Sequence, residues 1–223
     1  MYKEGKGVKQ DDFKAFKFFQ KACNLNDGGG CSILGLMYEE GKGVKQDDFK
    51  AFKFSQKACD LNSGSGCFNL GFMYKEGKGV KQDNFKALKF YQKACNLNSG
   101  GGCSILGLMY EEGKGVKQDD FKAFKFYQKA CDLNDGGGCF NLGLMYEEGK
   151  GVKQDDFKAV KFYQKACDLN DGSGCSNLGL SYEEGRGVRK SNTKALKYYG
   201  KACDLELAFF IHKSKIKATS AII

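Results

Sequence analysis

Cysteine is the residue type in this sequence whose number and spacing point most directly to chemistry. The chain has 11 cysteines and one histidine among 223 residues. The cysteines form two series with a step of 36 residues. The first series is Cys23, Cys59, Cys95, Cys131, Cys167 and Cys203, and the second is Cys31, Cys67, Cys103, Cys139 and Cys175. Thiols at a fixed register indicate either disulfide bonds or metal ligation.

The spacing favours disulfide bonds over a metal site. Zinc sites usually combine a close Cys-x-x-Cys pair with a second such pair or with histidines. Here the short spacing is Cys-x7-Cys, and the single histidine is His212. We therefore expect neither a metal ion nor a cofactor. Two pairings stay open, because Cys59 at the end of one helix would lie beside both Cys67 and Cys31.

The step of 36 residues extends to the whole sequence, so the chain is a tandem array. Residues 103–131 repeat residues 31–59 with one difference, Tyr127 in place of Ser55. We divide the chain into an incomplete N-terminal repeat (1–28), five repeats (29–208) and a divergent C-terminal tail (209–223). No stretch approaches the roughly 20 apolar residues that a transmembrane helix needs, so we expect no membrane span.

Each repeat contains two segments with helical periodicity. The first, helix A, is predicted from Cys31 to Glu40, where glycines follow as a C-terminal stop signal. The second, helix B, begins at Asp47 and Asp48, which are good N-cap residues. Residues 62–66, Asn-Ser-Gly-Ser-Gly, are predicted to form the turn into the next helix A. We expect an all-α, superhelical solenoid of helix-turn-helix repeats without a sheet.

Charge on helix B is predicted to lie apart from its apolar residues. Lys50, Lys53 and Lys57 are expected on one side of the helix, with Phe49 and Phe54 facing elsewhere. The net charge of +9 would suit a nucleic-acid partner. Acidic residues recur beside the lysines in every repeat, however, so we interpret the charges as a solvated mixed face and expect no nucleic acid.

Several of these residues carry a family resemblance. Leu34-Gly35-x-x-Tyr38 resembles the core signature of tetratricopeptide helices, in which glycine lets helix B approach closely. The wider pattern L-G-x-x-Y-x-x-G-x-G-V, followed by K-A-x-x-x-Y-x-K-A-C, resembles the Sel1-like repeat family. With two cysteines per repeat, the chain is similar to the Helicobacter cysteine-rich proteins of that family.

The resemblance implies one disulfide per repeat, formed by the Cys-x7-Cys pairs. These pairs are Cys23–Cys31, Cys59–Cys67, Cys95–Cys103, Cys131–Cys139 and Cys167–Cys175. The pairing leaves Cys203 as a free thiol, through which an otherwise monomeric protein could dimerise. Disulfides at this density are typical of a periplasmic or secreted protein.

Both ends of the sequence depart from the repeat pattern. Residues 1–5 match residues 73–77, so the chain is expected to open inside a helix A, without a signal peptide in front of it. Near the other end, Ile211 occupies the position where the next cysteine is due. We interpret the chain as a truncated or frame-shifted copy or a fragment, or as a non-functional remnant. A normal capping helix at the C-terminus is the alternative.

Residues that vary while the core stays constant are candidates for ligand contact. At two adjacent positions of helix A the repeats carry Ser-Ile, Phe-Asn or Ser-Asn. Asparagine can bind both the N–H and the C=O of an extended peptide. We therefore predict that Asn69, Asn141 and Asn177 bind peptide backbone on a concave face, with Phe68 and Phe140 as apolar contacts. Neutral drift at exposed positions is the alternative interpretation.

The sequence contains no complete catalytic motif. Ser191 begins an S-x-x-K tetrapeptide, but the S-D-N and K-T-G partners of β-lactam enzymes are absent. We interpret Ser191 as a helix N-cap, and the recurring Glu pairs, such as Glu39 with Glu40, as architecture. The family resemblance nevertheless implies penicillin binding and slow β-lactamase activity, with catalytic residues unknown. We expect a secreted or periplasmic scaffold for peptides or proteins, host proteins among them, and a hydrolase of β-lactam or peptidoglycan-like molecules as the alternative.

Overall fold

The chain folds entirely into helices over the part that the structure describes. In this computed structural model the backbone is described for residues 11–220 and the side chains for residues 11–206. These residues form eleven α-helices and no strand. The helices are α1 Asp12–Asn24, α2 Gly28–Glu40, α3 Asp48–Asp60, α4 Gly64–Glu76, α5 Asn84–Asn96, α6 Gly100–Glu112, α7 Asp120–Asp132, α8 Gly136–Glu148, α9 Asp156–Asp168, α10 Gly172–Glu184 and α11 Asn192–Ser220. The predicted opening inside a helix A, at residues 1–5, lies outside the described residues.

Even-numbered helices are the predicted A helices and odd-numbered helices are the B helices. They form two compact units, Met1–Gln118 and Asp119–Ile223. Within each unit a helix A packs against the helix B that precedes it and against the one that follows it. The predicted all-α array of helix-turn-helix repeats is therefore confirmed.

Helix B begins where the sequence predicts. In α3 the carboxylate of Asp47 accepts a hydrogen bond from the backbone N–H of Lys50 at 2.9 Å, which satisfies one of the free donors of the first turn. The helix ends at Asp60, and Asn62 then takes a left-handed conformation with φ of 58°. Asparagine adopts this conformation more readily than other residues with a side chain, so it turns the chain toward α4.

Helix A begins earlier than predicted. The glycine-rich segment Gly64–Gly66 is the first turn of α4 and not a loop. The physical reason is a close approach between two helices. A Cβ atom at Gly66 would lie only 2.4 Å from the Cβ of Ala58 in α3, so no larger residue fits. Glycine thus serves here for contact with the preceding helix B, and the true turn is only Leu61 to Ser63.

The close approach of each helix B to the next helix A brings two cysteines within disulfide-bonding distance. Five disulfides join Cys23–Cys31, Cys59–Cys67, Cys95–Cys103, Cys131–Cys139 and Cys167–Cys175. The Cα atoms of each pair are 4.4–4.5 Å apart, at the short end of the usual range for disulfides. Each bond therefore links the end of a helix B to the next helix A. Cys203 on α11 is exposed and unpaired among the described residues.

The core of each repeat is built where Leu, Gly and Tyr of helix A meet helix B. Leu34 is fully buried, and a Cβ atom at Gly35 would lie 2.9 Å from the Oγ of Ser55. The predicted close packing at this glycine is confirmed. Tyr38 lies between two B helices, since its ring stacks on Phe54 at 5.4 Å and meets Phe16 edge-on at 5.5 Å. This aromatic contact therefore joins neighbouring repeats.

The predicted separation of lysines from aromatic residues on helix B is wrong. Lys53 Nζ lies 4.6 Å from the ring centroid of Phe49, and Phe54 lines the same surface. Lys57 is half-buried and donates a hydrogen bond of 2.8 Å to the carbonyl oxygen of Cys23 in the preceding helix B. Positions separated by four residues share one face of a helix, which brings these side chains together.

The last helix, α11, is 29 residues long. It begins as helix B of the last repeat and continues to Ser220. Neither this helix nor any other in the described part of the chain is both long and apolar enough to cross a membrane.

Candidate functional site

The side chains predicted to bind peptide lie on one face of helix A. In α4 the core takes Cys67, Leu70 and Gly71. Phe68 and Asn69 follow Cys67 on the opposite side of the helix and are half-buried. The disulfide at Cys67 fixes this register, so the two variable positions recur at the same place on each helix A, although Ser32, the equivalent of Phe68 in α2, is buried.

Helices of type A form the inner row of each unit. Helix α4 contacts both α2 and α6 in the first unit, and α8 contacts α10 in the second. Successive B helices contact one another less than successive A helices do. The variable positions of neighbouring A helices are therefore close together within each unit.

In the first unit the candidate residues bridge neighbouring repeats. The Asn69 amide donates a hydrogen bond to Ser32 Oγ on α2 at 3.3 Å. The Phe68 ring packs 5.7 Å from the ring of Tyr91, and it also covers Gly101 of α6, where a Cβ atom would lie 3.4 Å away. Asn69 keeps its carbonyl oxygen and one N–H for a ligand, whereas Phe68 also has a packing role that the sequence did not indicate.

In the second unit the three candidates have different surroundings. Phe140 packs 6.0 Å from the buried ring of Tyr163. The Asn177 side chain lies near the Tyr163 hydroxyl and partly offsets the rise in the pKa of that phenol. Asn141 is half-buried and forms no side-chain hydrogen bond with another described residue. Asn141 thus presents its whole amide beside an aromatic ring.

Tyr163 is the polar centre of the second unit. Its hydroxyl donates to Glu147 Oε2 at 2.5 Å, and the other oxygen of Glu147 pairs with Arg186. Burial and the neighbouring Glu147 carboxylate raise the pKa of Tyr163 above its ordinary value, so the phenol stays neutral and acts as a donor. The space around these groups is too small for a water molecule. The cluster therefore serves to hold α8, α9 and α10 together.

The Glu pairs have structural partners, as the sequence interpretation proposed. Glu39 binds Lys78 of the next repeat at 2.8 Å, and this contact raises the pKa of the Lys78 ammonium. Glu183 accepts a hydrogen bond of 2.6 Å from Tyr199, which raises the pKa of that phenol to about 12. The second members of the pairs bind basic residues two positions later: Glu40–Lys42, Glu112–Lys114, Glu148–Lys150 and Glu184–Arg186.

Ser191 occupies the predicted cap position. Its Oγ accepts a hydrogen bond from the backbone N–H of Lys194 at 3.4 Å, and its carbonyl oxygen accepts one from Ala195. These contacts begin α11. The hydroxyl is therefore used by the helix terminus.

Comparison with protein families finds one family model repeated along the chain. The Sel1 repeat matches residues 1–27, 30–63, 64–99, 102–135, 137–171 and 172–207. No curated protein sequence matches the chain.

Solved structures with the same fold come from several bacteria. One is a protective antigen present in uropathogenic Escherichia coli strains, with 32% identity and a TM-score of 0.76 over 91% of this chain and 44% of that one. A Sel1 repeat protein from Oxalobacter formigenes has 27% identity and a TM-score of 0.76, covering 86% and 79% of the two chains. The chain thus spans less than half the length of the Escherichia coli antigen.

A further similar structure is cysteine rich protein B of Helicobacter pylori. It is 44% identical over 60% of this chain and 97% of its own, with a TM-score of 0.49.

Proposed function

The chain belongs to the Sel1 repeat family, and from this premise we propose that it is a secreted or periplasmic scaffold that binds an extended peptide or protein segment on the A-helix face. Host proteins are among the candidate partners. The observation that carries the proposal is Asn141, which follows Phe140 in α8 and whose amide forms no side-chain hydrogen bond with another described residue. A half-buried amide of this kind gains most from a ligand that supplies both a donor and an acceptor.

The candidate asparagines differ in how far their amides are already engaged. Asn69 donates one hydrogen bond to Ser32, and the Asn177 side chain lies near the Tyr163 hydroxyl. A peptide backbone has to replace these contacts before it can bind there, which lowers the net gain. We therefore propose that Asn141 contributes most of the polar affinity, with Phe140 as the apolar contact next to it.

The disulfides support the assignment to an oxidising compartment. Five bonds in a short chain form and persist outside the cytoplasm, where thiols are not kept reduced. We propose a monomer in that compartment, with dimerisation through Cys203 when the exposed thiol is oxidised.

The test is a selection followed by matched variants. The oxidised protein is panned against a displayed library of random peptides, and affinities of the selected peptides are measured by calorimetry. Asn141→Ala is expected to weaken binding by about tenfold, the loss of roughly one well-placed hydrogen-bonding group. Gln128→Ala, an exposed change on α7, serves as the control. Unchanged affinity in Asn141→Ala, Asn69→Ala and Asn177→Ala would contradict the proposal.

Hydrolysis of β-lactams is a second candidate function, and it is supported only by the family resemblance. The carboxylates of the Glu pairs and the Ser191 hydroxyl are engaged in structural contacts, so no described residue favours it. A nitrocefin assay on the same oxidised sample decides the matter, since turnover that survives repurification would make the hydrolase the primary assignment.

A further inference from the structure

A second surface lies on helix B, apart from the A-helix face. In the first unit it forms a cleft of about 460 Å³ along α3. The cleft has an aromatic floor and a basic rim. It is lined by Tyr38, Phe49 and Phe54, by Lys50, Lys53 and Lys57, and by Asp47. Its volume is in the range of ligand pockets and can take one large side chain together with its backbone.

One of the three aromatic side chains of the cleft is largely exposed, whereas Tyr38 is buried and Phe54 is half-buried. Phe49 is 56% exposed, although a free phenylalanine side chain gains from burial. Tyr38 and Phe54 stack at 5.4 Å and form a flat apolar wall beside it. An exposed phenylalanine occurs at the same place in other repeats: Phe13, Phe85, Phe121 and Phe157. An exposed aromatic residue that recurs on a charged helix face suits an interaction surface.

The basic part of the cleft is only partly neutralised. Lys50 pairs with Asp47 at 3.5 Å. Lys53 Nζ lies over Phe49 and has no carboxylate within 4.0 Å among the described residues. Lys57 donates one hydrogen bond to a backbone carbonyl, which leaves two of its N–H groups for other acceptors. Three ammonium groups thus face one carboxylate around an apolar floor.

We propose that this cleft binds an acidic segment of a partner protein, with one aromatic or large aliphatic side chain against Phe49 and flanking carboxylates on Lys53 and Lys57. The charge of the cleft and its apolar floor both complement such a segment, because the Lys53 ammonium can donate to a carboxylate while it stays over the Phe49 ring.

The cleft chemistry recurs one repeat further along the first unit. Phe85 is 76% exposed, Tyr74 stacks on Phe90 at 5.4 Å, and Lys86 Nζ lies 5.2 Å from the Tyr74 ring centroid. In the last repeat the position of the phenylalanine is Thr193. The chain therefore contains a natural comparison site with the lysines but without the exposed ring.

The probe is a fluorescein-labelled peptide of alternating Asp and Glu with one central Phe, and the readout is fluorescence anisotropy at low and at physiological salt. Because an exposed phenylalanine recurs, the test uses a background in which Phe13, Phe85, Phe121 and Phe157 are replaced by Thr. In that background Phe49→Thr copies the last repeat and is expected to weaken binding about tenfold, as is Lys53→Glu. Lys197→Glu makes the same change of charge beside Thr193 and is expected to weaken binding less than about twofold. Both Phe49 and Lys53 are exposed, so circular dichroism is expected to show unchanged folding.

Four outcomes would overturn the proposal. Equal losses in Lys197→Glu and Lys53→Glu would mean non-specific attraction to charge. Equal affinity for a peptide with Ser in place of Phe would mean that the aromatic floor is not used. Stronger binding of RNA or of anionic vesicles, with the same dependence on Phe49, would assign the cleft to those partners. Loss of binding in Asn69→Ala but not in Phe49→Thr would move this peptide to the A-helix face and leave the proposed function standing.

Discussion

Lys57 shows how one residue can link two repeats. Its half-buried ammonium donates to the carbonyl oxygen of Cys23, close to the C-terminus of α1. Cations are favourable at this end of a helix, because the last carbonyl groups carry the negative end of the helix dipole. The same contact recurs as Lys93 with Cys59, Lys165 with Cys131 and Lys201 with Cys167. It places a charge-assisted hydrogen bond at the junction of neighbouring repeats.

We expect Lys57→Met to destabilise the protein by about 1–2 kcal/mol, since the change keeps most of the apolar stem and removes the charged donor. Unfolding in urea measures the effect. Lys53→Met is the matched control, four residues earlier on the same helix face, and its exposed ammonium should contribute less than about 0.5 kcal/mol. Equal losses in the two variants would show that the contact with Cys23 adds no stability.

Replacing glycine by alanine is expected to lower the free energy of unfolding at Gly66 and to raise it at Gly200. At Gly66 a Cβ atom would lie 2.4 Å from Ala58 Cβ and 2.9 Å from the backbone beneath it, so Gly66→Ala should cost about 1–3 kcal/mol. At Gly200, within α11, a Cβ atom would meet nothing within 4 Å. Gly200→Ala should therefore stabilise the helix by about 0.5–1 kcal/mol. Thermal unfolding of both variants tests this, and a stabilising Gly66→Ala would refute the close-approach account.

The sequence predicted the start of helix B correctly and the start of helix A incorrectly. Asp47 as the N-cap of α3 follows from a local rule that involves four residues. The start of α4 at Gly64 does not, because the reason for its glycines is a contact with Ala58 on another helix. The same limit explains the cleft on α3. Sequence periodicity placed Phe49 apart from the lysines, whereas the helix brings Lys53 over its ring.

The N-caps predict a dependence of stability on pH. The backbone N–H of Lys50 lowers the pKa of Asp47 below 3.8, and the caps Asp11, Asp119 and Asp155 are lowered in the same way. A carboxylate whose pKa falls on folding stabilises the protein above its unfolded pKa and loses that contribution as pH falls through the folded pKa. We therefore expect part of the acid destabilisation, below about pH 4, to come from these caps.

Replacing the four caps by asparagine tests this expectation. Asparagine is an equally good N-cap but does not titrate in this range. The quadruple variant should lose less thermal stability than the wild type between neutral pH and about pH 2.5. The control is a second quadruple variant with the same change of charge, in which four exposed aspartates are replaced by asparagine: Asp60, Asp132, Asp168 and Asp204. This control should keep the wild-type acid response. Identical pH profiles of all three proteins would exclude a role for the caps.

At the scale of the molecule, the disulfide pairing illustrates what local patterns leave undetermined. From the sequence Cys59 had two candidate partners, Cys67 and Cys31, and only the family resemblance favoured the first. The structure bonds Cys59 to Cys67. The close packing at Gly66 brings their Cα atoms to 4.4 Å. Each covalent bond therefore joins a helix B to the next helix A, while hydrogen bonds and core packing join the helices within a repeat.

Reduction should lower the stability of the whole molecule. Each bond closes a short loop, with a separation of eight residues between its cysteines, and constrains the unfolded chain by about 2–3 kcal/mol in the chain-entropy model. Five such bonds amount to on the order of 10 kcal/mol, comparable with the net stability of a domain. We therefore expect the guanidinium midpoint to fall strongly after complete reduction. In the oxidised protein, Cys203→Ser should leave the midpoint unchanged and remove any disulfide-linked dimer from a non-reducing gel. A fully reduced protein with the oxidised midpoint would show that helix packing alone holds the array together.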